Sequence, residues 1–119
     1  MNWYAAHAVM YVKFKNGQQD KYPLWENILL IAAESDKEAM AKAIMRAKQD
    51  EGDSKGTFSW EGRPAEWCFG GLRKLVSCEA ADTHPTDGME ITYLELEANS
   101  QRDFERFLKG EAVMVKCGG

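Results

Sequence analysis

Few side chains in this sequence are equipped for acid–base or nucleophilic work, so each can be weighed in turn. His7 sits in the middle of a strand-like segment, on its mixed face between Ala5 and Val9. As a general base it needs a carboxylate or a substrate proton within about 3 Å and a pKa near the working pH. The plainer reading is a histidine that fills a sheet face or an interface. Cys68, beside Trp67, becomes a nucleophile only where a base or a positive field lowers its pKa. No cysteine–histidine spacing marks such a pair, so a buried structural thiol is expected. The stretch Glu61-Gly62-Arg63-Pro64-Ala65-Glu66 sets two carboxylates and an arginine in a turn. The Arg63 fork suits an anionic ligand, although such turns are ordinarily solvated. Gly70-Gly71 lacks the strand–loop–helix setting of a phosphate site. His7, Arg63 and Trp67 are therefore the candidate ligand-binding residues, and no catalytic residue is assigned.

Metal chemistry finds little support. Cys68, Cys78 and Cys117 are widely spaced, no CxxC pair exists, and His7 and His84 lie far apart. A structural zinc site takes four closely organised ligands, usually in paired spacings. Neither a metal nor a cofactor is expected. Reduced, mostly buried thiols agree with a reducing compartment, so a cytoplasmic location is expected.

Aromatic content is the one compositional excess. Trp3, Trp25, Trp60 and Trp67, with Tyr4, Tyr11, Tyr22 and Tyr93, fall in or beside strand-like segments. Indoles and phenols combine apolar area with a polar handle, which suits a pocket or an interface. Covering an open sheet face is the alternative use.

These side chains must be positioned by a small set of elements. Residues 3–14 read as a long strand, with Tyr4, Ala6, Ala8, Met10, Val12 and Phe14 on one face and Ala5, His7, Tyr11 and Lys13 on the other. Asn16-Gly17 suits a type I′ turn, and Pro23 confines residues 19–25 to an edge or an irregular connection. Residues 26–34 form a buried strand, apolar on both faces around residues 28–31. Ser35-Asp36-Lys37-Glu38 is a capping box, with the Glu38 carboxylate expected on the Ser35 N–H. The helix it starts runs to about Asp50, burying Met40, Ala43, Ile44 and Ala47 and pairing Glu38 with Lys42. A short strand is expected at residues 57–60, and a longer one at 65–79 broken by a bulge at Gly70-Gly71. A turn at residues 81–88 contains His84-Pro85, and residues 89–98 alternate as a strand. Ser100 and Asp103 mark a cap for a short helix bearing Phe104, Phe107 and Leu108, and residues 112–117 close as a strand.

From residue 28 onward the order is strand, helix, strand, strand, helix, strand. That order predicts an α+β fold: a two-layer antiparallel sheet with two helices on one face, a ferredoxin-like split βαβ core plus an extra N-terminal strand or hairpin. One conflict is visible. The first strand of that core is already central, so either residues 3–14 add at an edge or the C-terminal strand is displaced.

Composition bounds the rest. The chain has 119 residues, 45% hydrophobic and 29% charged, which is globular and consistent with one domain spanning 1–119. Its mass of 13.5 kDa implies roughly 6,500 Å² of folded surface against roughly 19,600 Å² unfolded, enough burial for a core without metals or disulfides. The longest uninterrupted apolar run, residues 28–33, falls far short of the ~18 residues of a membrane span. The opening Met1-Asn2 leads directly into strand-like sequence, so no leader is expected. Fifteen basic against nineteen acidic residues leave a net charge of −4, so neither nucleic acid nor a membrane is an expected partner.

Several segments in order resemble a known family. They are Trp3-Tyr4-Ala5-Ala6, Leu24-Trp25-Glu26-Asn27-Ile28, Ala33-Glu34-Ser35 with Glu38-Ala39, Trp67-Cys68-Phe69-Gly70-Gly71, and Asp87-Gly88-Met89-Glu90-Ile91-Thr92-Tyr93. Together they resemble small bacterial proteins grouped as domain of unknown function four-two-eight-eight, over about residues 3–96. Residues 99–117 look longer than the usual pattern. The resemblance implies a self-contained domain and carries over no catalytic residue.

The leading functional expectation is a small binding or assembly module that forms a sheet-mediated homo-oligomer, with a further protein partner possible. Its motivation is an apolar, aromatic-rich sheet too extensive for two short helices to cover. One alternative is a small enzyme or ligand-binding protein with a cleft near His7, Arg63 and Trp67. Another is an acidic immunity-type inhibitor of a basic partner protein.

Overall fold

The computed structural model of the chain describes residues 1–78 and 85–118. Four strands, β1 (Asn2–Phe14), β2 (Leu24–Ala33), β3 (Ser59–Trp60) and β4 (Arg63–Ser77), make one antiparallel sheet in the order β2-β1-β4-β3. Helix α1 (Asp36–Gln49) follows β2 and leads through the short β3 to β4. Strands β2 and β4 are antiparallel to β1 and so parallel to each other, which makes β2–α1–β4 a split βαβ unit with β1 in the gap. Strands β5 (Leu96–Ala98) and β6 (Val115–Cys117) pair with each other in a second, two-stranded sheet, with α2 (Gln101–Leu108) between them in sequence.

The α+β class is as the sequence indicates; the ferredoxin-like detail is not. The N-terminal strand is central, and the C-terminal strand is the displaced one. The second helix therefore does not share the sheet that α1 covers. The physical reason lies in β1 itself. Tyr4, Ala6, Ala8, Met10 and Val12 are buried towards α1, while Ala5 and His7 are buried on the opposite face. A strand that needs cover on both sides belongs in the middle.

Helix α1 starts where its cap is written. The Ser35 hydroxyl accepts from the Glu38 N–H at 3.2 Å, but the Glu38 carboxylate accepts from the Glu34 N–H rather than from Ser35. Glu38 and Lys42 pair at 3.7 Å on the exposed side, as the spacing implies. The buried stripe is Ala39, Ala43 and Ala47, rotated from the expected one: Met40 is exposed and Ile44 only half-buried. Spacing i, i+4, i+8 in alanine lets the helix lie close on Tyr4, Ala6, Ile31 and Ala33, and the larger side chains are displaced to its flanks.

The turns also differ from expectation. Gly17 has φ +79 but Asn16 does not reach positive φ, so the long 15–23 connection is not built on a type I′ turn. That turn type appears instead at Glu61 (φ +51) and Gly62 (φ +76), where Trp60 pairs with Arg63. Strand β4 carries two irregularities. His7 pairs with Lys74 but Ala8 with Leu72, which leaves Arg73 as an extra residue. Val9 pairs with Gly71 but Met10 with Phe69, which leaves Gly70. Only residues 96–98 of the expected 89–98 strand are in a ladder, because the segment before them bonds through side chains instead. Of the expected turn at residues 81–88, residues 81–84, His84 among them, lie outside the described residues, while the Met89 N–H donates to the Thr86 carbonyl at 3.1 Å.

Candidate functional site

The face of the main sheet that α1 leaves uncovered is organised around His7. Its ring is 0% exposed. Nδ1 lies 2.6 Å from Glu26 Oε2, and Nε2 lies 2.5 Å from Thr92 Oγ1. Register explains the first contact: His7 stands opposite Ile28, and Glu26 is the diagonal neighbour two residues along on the same face. The bulge in β4 explains a third partner, because the extra residue Arg73 reaches Glu26 Oε1 at 2.5 Å. A carboxylate only accepts, so Nδ1–H donates to Glu26; a neutral ring then accepts at Nε2 from the Thr92 hydroxyl.

Charge follows from this wiring. Burial on its own would raise the Glu26 carboxyl, but hydrogen bonds from His7 and Arg73 outweigh it and hold the group below the usual glutamate range. Arg73 is held above its ordinary value, first by Glu26 and then by the Cys117 thiol.

Residues 91–93 cross this face as a strap with three further ties. The Cys78 thiol donates to the Ile91 carbonyl at 3.3 Å, and Lys74 donates to the Tyr93 carbonyl at 2.9 Å while its ammonium sits 3.7 Å from the Tyr93 ring centre. A hydroxyl, an imidazole and a carboxylate in sequence is the order of a nucleophile relay. Here both ring nitrogens are spent inside an enclosed setting, and the arrangement clamps the strap to the sheet.

The opposite face carries three of the four tryptophans. Trp25, Trp60 and Trp67 come from β2, β3 and β4. Trp25 packs on Trp67 at 4.9 Å between ring centres and meets Trp60 edge-on at 5.6 Å and 86°. Beside them, past the C-terminus of α1, is a cleft of about 420 Å³ that Phe58, Asp50, Glu51 and Gly52 also line.

Arg63 lies on this side too. Its guanidinium stacks 3.7 Å from the Phe14 ring centre and donates to the Asn16 and Gln18 carbonyls at 2.7 and 3.2 Å. That fork fastens the 15–23 connection to β4. The three residues singled out from the sequence are therefore divided: among the described residues the sheet separates His7 from Arg63 and Trp67.

Burial raises the Cys68 thiol, and the Glu66 and Glu51 carboxylates raise it further, which opposes the thiolate a nucleophile needs. Burial likewise pushes Cys78 up. Among the described residues no cluster of three or more His, Cys, Asp or Glu is placed to hold a metal ion.

Sequence reasoning found His7 but missed Glu26, Arg73 and Thr92. One signal was present for Glu26, the single charge in the apolar strand of residues 24–33. A buried carboxylate of that kind needs a partner. Arg73 depends on a bulge and Thr92 on a contact across 85 positions, and neither leaves a local trace.

A profile of a domain of unknown function, DUF4288, matches residues 3–92. The chain belongs to the DUF4288 family. This agrees with the resemblance read from its segments. The DUF4288 match takes in the main sheet from Trp3 onward, α1, and all four residues of the His7 clamp; the β5–α2–β6 unit follows it. No curated protein and no solved structure matches the chain.

Proposed function

We propose that the chain is a single-domain assembly module that forms a homodimer by pairing its β2 edges across a two-fold axis. The observation that carries this reading is the free edge of β2. Ten residues, Leu24–Ala33, lie at the border of the sheet with one charge and no proline among them. That charge, Glu26, is turned to His7 and Arg73 and does not guard the edge. The Lys42 ammonium of α1 takes up one outer carbonyl, that of Ala32, near the end of the strand; the rest is a long apolar edge without proline or a bulge, which is a template for pairing.

Side chains support the same surface. Leu24, Ile28 and Leu30, on the face His7 occupies, are 59, 43 and 41% exposed. Between the strand and α1 runs a groove lined by Leu29, Ile31 and Met45 and bordered by the polar side chains of Lys42, Arg46 and Gln49. Overall dimensions agree: the accessible surface is 8557 Å², whereas a compact monomer of this mass has roughly 6,500 Å². The radius of gyration is 17.5 Å against roughly 13.5 Å expected for a compact chain of this length. A standard interface takes roughly 800 Å² from each partner, and isologous pairing is the commonest homo-oligomeric arrangement. The three free cysteines support a reducing, cytoplasmic setting.

Light scattering over a range of concentrations tests the proposal. A mass of twice 13.5 kDa is expected, falling to the single-chain value in Leu30→Lys, which sets like charges beside each other across the two-fold. Circular dichroism checks that the variant still folds. A monodisperse single chain at high micromolar concentration in the unaltered protein overturns the reading.

A further inference from the structure

The cleft beyond the C-terminus of α1 has a chemistry that the dimer reading does not use. We propose that it binds a trimethylated ammonium group, presented by a choline-like molecule or by a methylated lysine side chain. Its apolar walls are three indoles and the Phe58 ring. Trp25, at the centre of the cluster, is still 39% exposed, so an aromatic surface faces the opening. Indole faces carry negative potential, and tryptophan is the strongest aromatic partner for a cation.

The polar lining has the matching sign. Asp50 and Glu51 are both carboxylates at the end of α1, where the aligned peptide dipoles place partial negative charge. Asp50 is paired with Arg46 at 2.8 Å. Glu51 accepts from the Phe69 N–H at 2.8 Å and forms no ion pair among the described residues. Gly52 both donates to and accepts from the Trp67 backbone, so its amide is spent. The side-chain acceptors therefore favour a cation, and aromatic walls favour one whose charge is shielded by methyl groups. The side-chain donors of the lining are the Ser54 hydroxyl and the indole N–H groups, none of them charged, and the two carboxylates disfavour an anion. A phosphate next to the ammonium would meet the two carboxylates, so choline should bind and phosphocholine should not.

Intrinsic fluorescence reads the site directly, because three of the four tryptophans surround it. Titration of the full chain with choline, with tetramethylammonium and with a trimethyl-lysine peptide is expected to give saturable changes in tryptophan emission. The arm that saturates at lowest concentration identifies the source of the group. The neutral isostere 3,3-dimethylbutan-1-ol should bind about tenfold more weakly than choline. Glu51→Gln keeps an acceptor for the Phe69 N–H while removing the charge, and should weaken choline without altering the unfolding midpoint. Trp60→Ala should weaken all the cations, with folding checked by circular dichroism. Absence of saturation by every cation, equal binding of the isostere and choline, or saturation by neutral sugars alone would each overturn the proposal.

Discussion

His7 Nδ1 lies 2.6 Å from Glu26 Oε2, joining the central strand to the edge strand on the face opposite α1. Because the His7 ring is wholly enclosed and bonded at both nitrogens, its removal leaves the Thr92 hydroxyl and one oxygen of Glu26 without their partner.

His7→Ala is expected to destabilise the domain by about 2 kcal/mol, the order of cost for stranding buried polar groups. Thr92→Val should cost less, because only one contact is lost and the strap keeps its ties to Cys78 and Lys74. Urea denaturation of the three proteins measures both. Equal stability of all three would show that the clamp contributes nothing.

The Glu26 carboxyl also sets a pH dependence. Its pKa is lowered in the folded state, so the unfolded chain takes up the proton first as pH falls. The stabilisation is fully present above the ordinary glutamate range and is lost as pH descends through the lowered folded value. Glu26→Gln should be less stable at neutral pH and should show a shallower acid limb. Unfolding midpoints recorded stepwise from neutral to acid pH supply the comparison, with the Asp53 carboxyl, lowered by Lys15 and unchanged in both proteins, contributing equally.

Ser35→Ala removes the acceptor for the Glu38 N–H and should lower stability by about 1 kcal/mol. Ser100 caps α2 in the same way, accepting from Asp103 at 3.1 Å, but α2 buries no residue. Ser100→Ala is therefore expected to leave the cooperative transition of the main sheet in place. Chemical denaturation followed by tryptophan emission, which reports on the main sheet, distinguishes the two.

Gly17 combines φ +79 with a neighbour: a Cβ built there would stand 2.8 Å from Arg63 Nη2. Gly17→Ala should cost about 1–2 kcal/mol from the left-handed backbone alone, and more if Arg63 leaves the Asn16 carbonyl. A thermal midpoint equal to that of the unaltered chain would argue against both effects.

How far the sequence discloses this molecule depends on the range of the interaction. Ser35 and Ser100 announce their helices because a cap is a four-residue device, and the Gly70-Gly71 pair announces a bulge. The centre of the sheet was also legible in principle, since β1 is apolar on both faces. What misled was the ferredoxin-like order, which assigns the last strand to the main sheet. Residues 115–117 pair instead with 96–98, a choice between competing long-range partners that local pattern does not encode. The same holds for the site: His7 stands out as a residue type, whereas its three partners converge from an edge strand, a bulge and a strap.

The central place of β1 has a consequence for how the chain is made. Synthesis delivers β1 first and β2 soon after, so their hairpin can close while the rest is still emerging. The other side of β1 must wait for β4, whose pairs run from Phe14 with Ala65 to Tyr4 with Ser77. Until those residues appear, the nascent hairpin presents two bare edges, β1 towards its missing neighbour and β2 towards solvent. Unpaired strand edges of this kind invite contact between chains, and pairings so distant in sequence form slowly. The order of translation thus exposes the same border that we assign to the finished dimer, and it does so when many copies share one messenger.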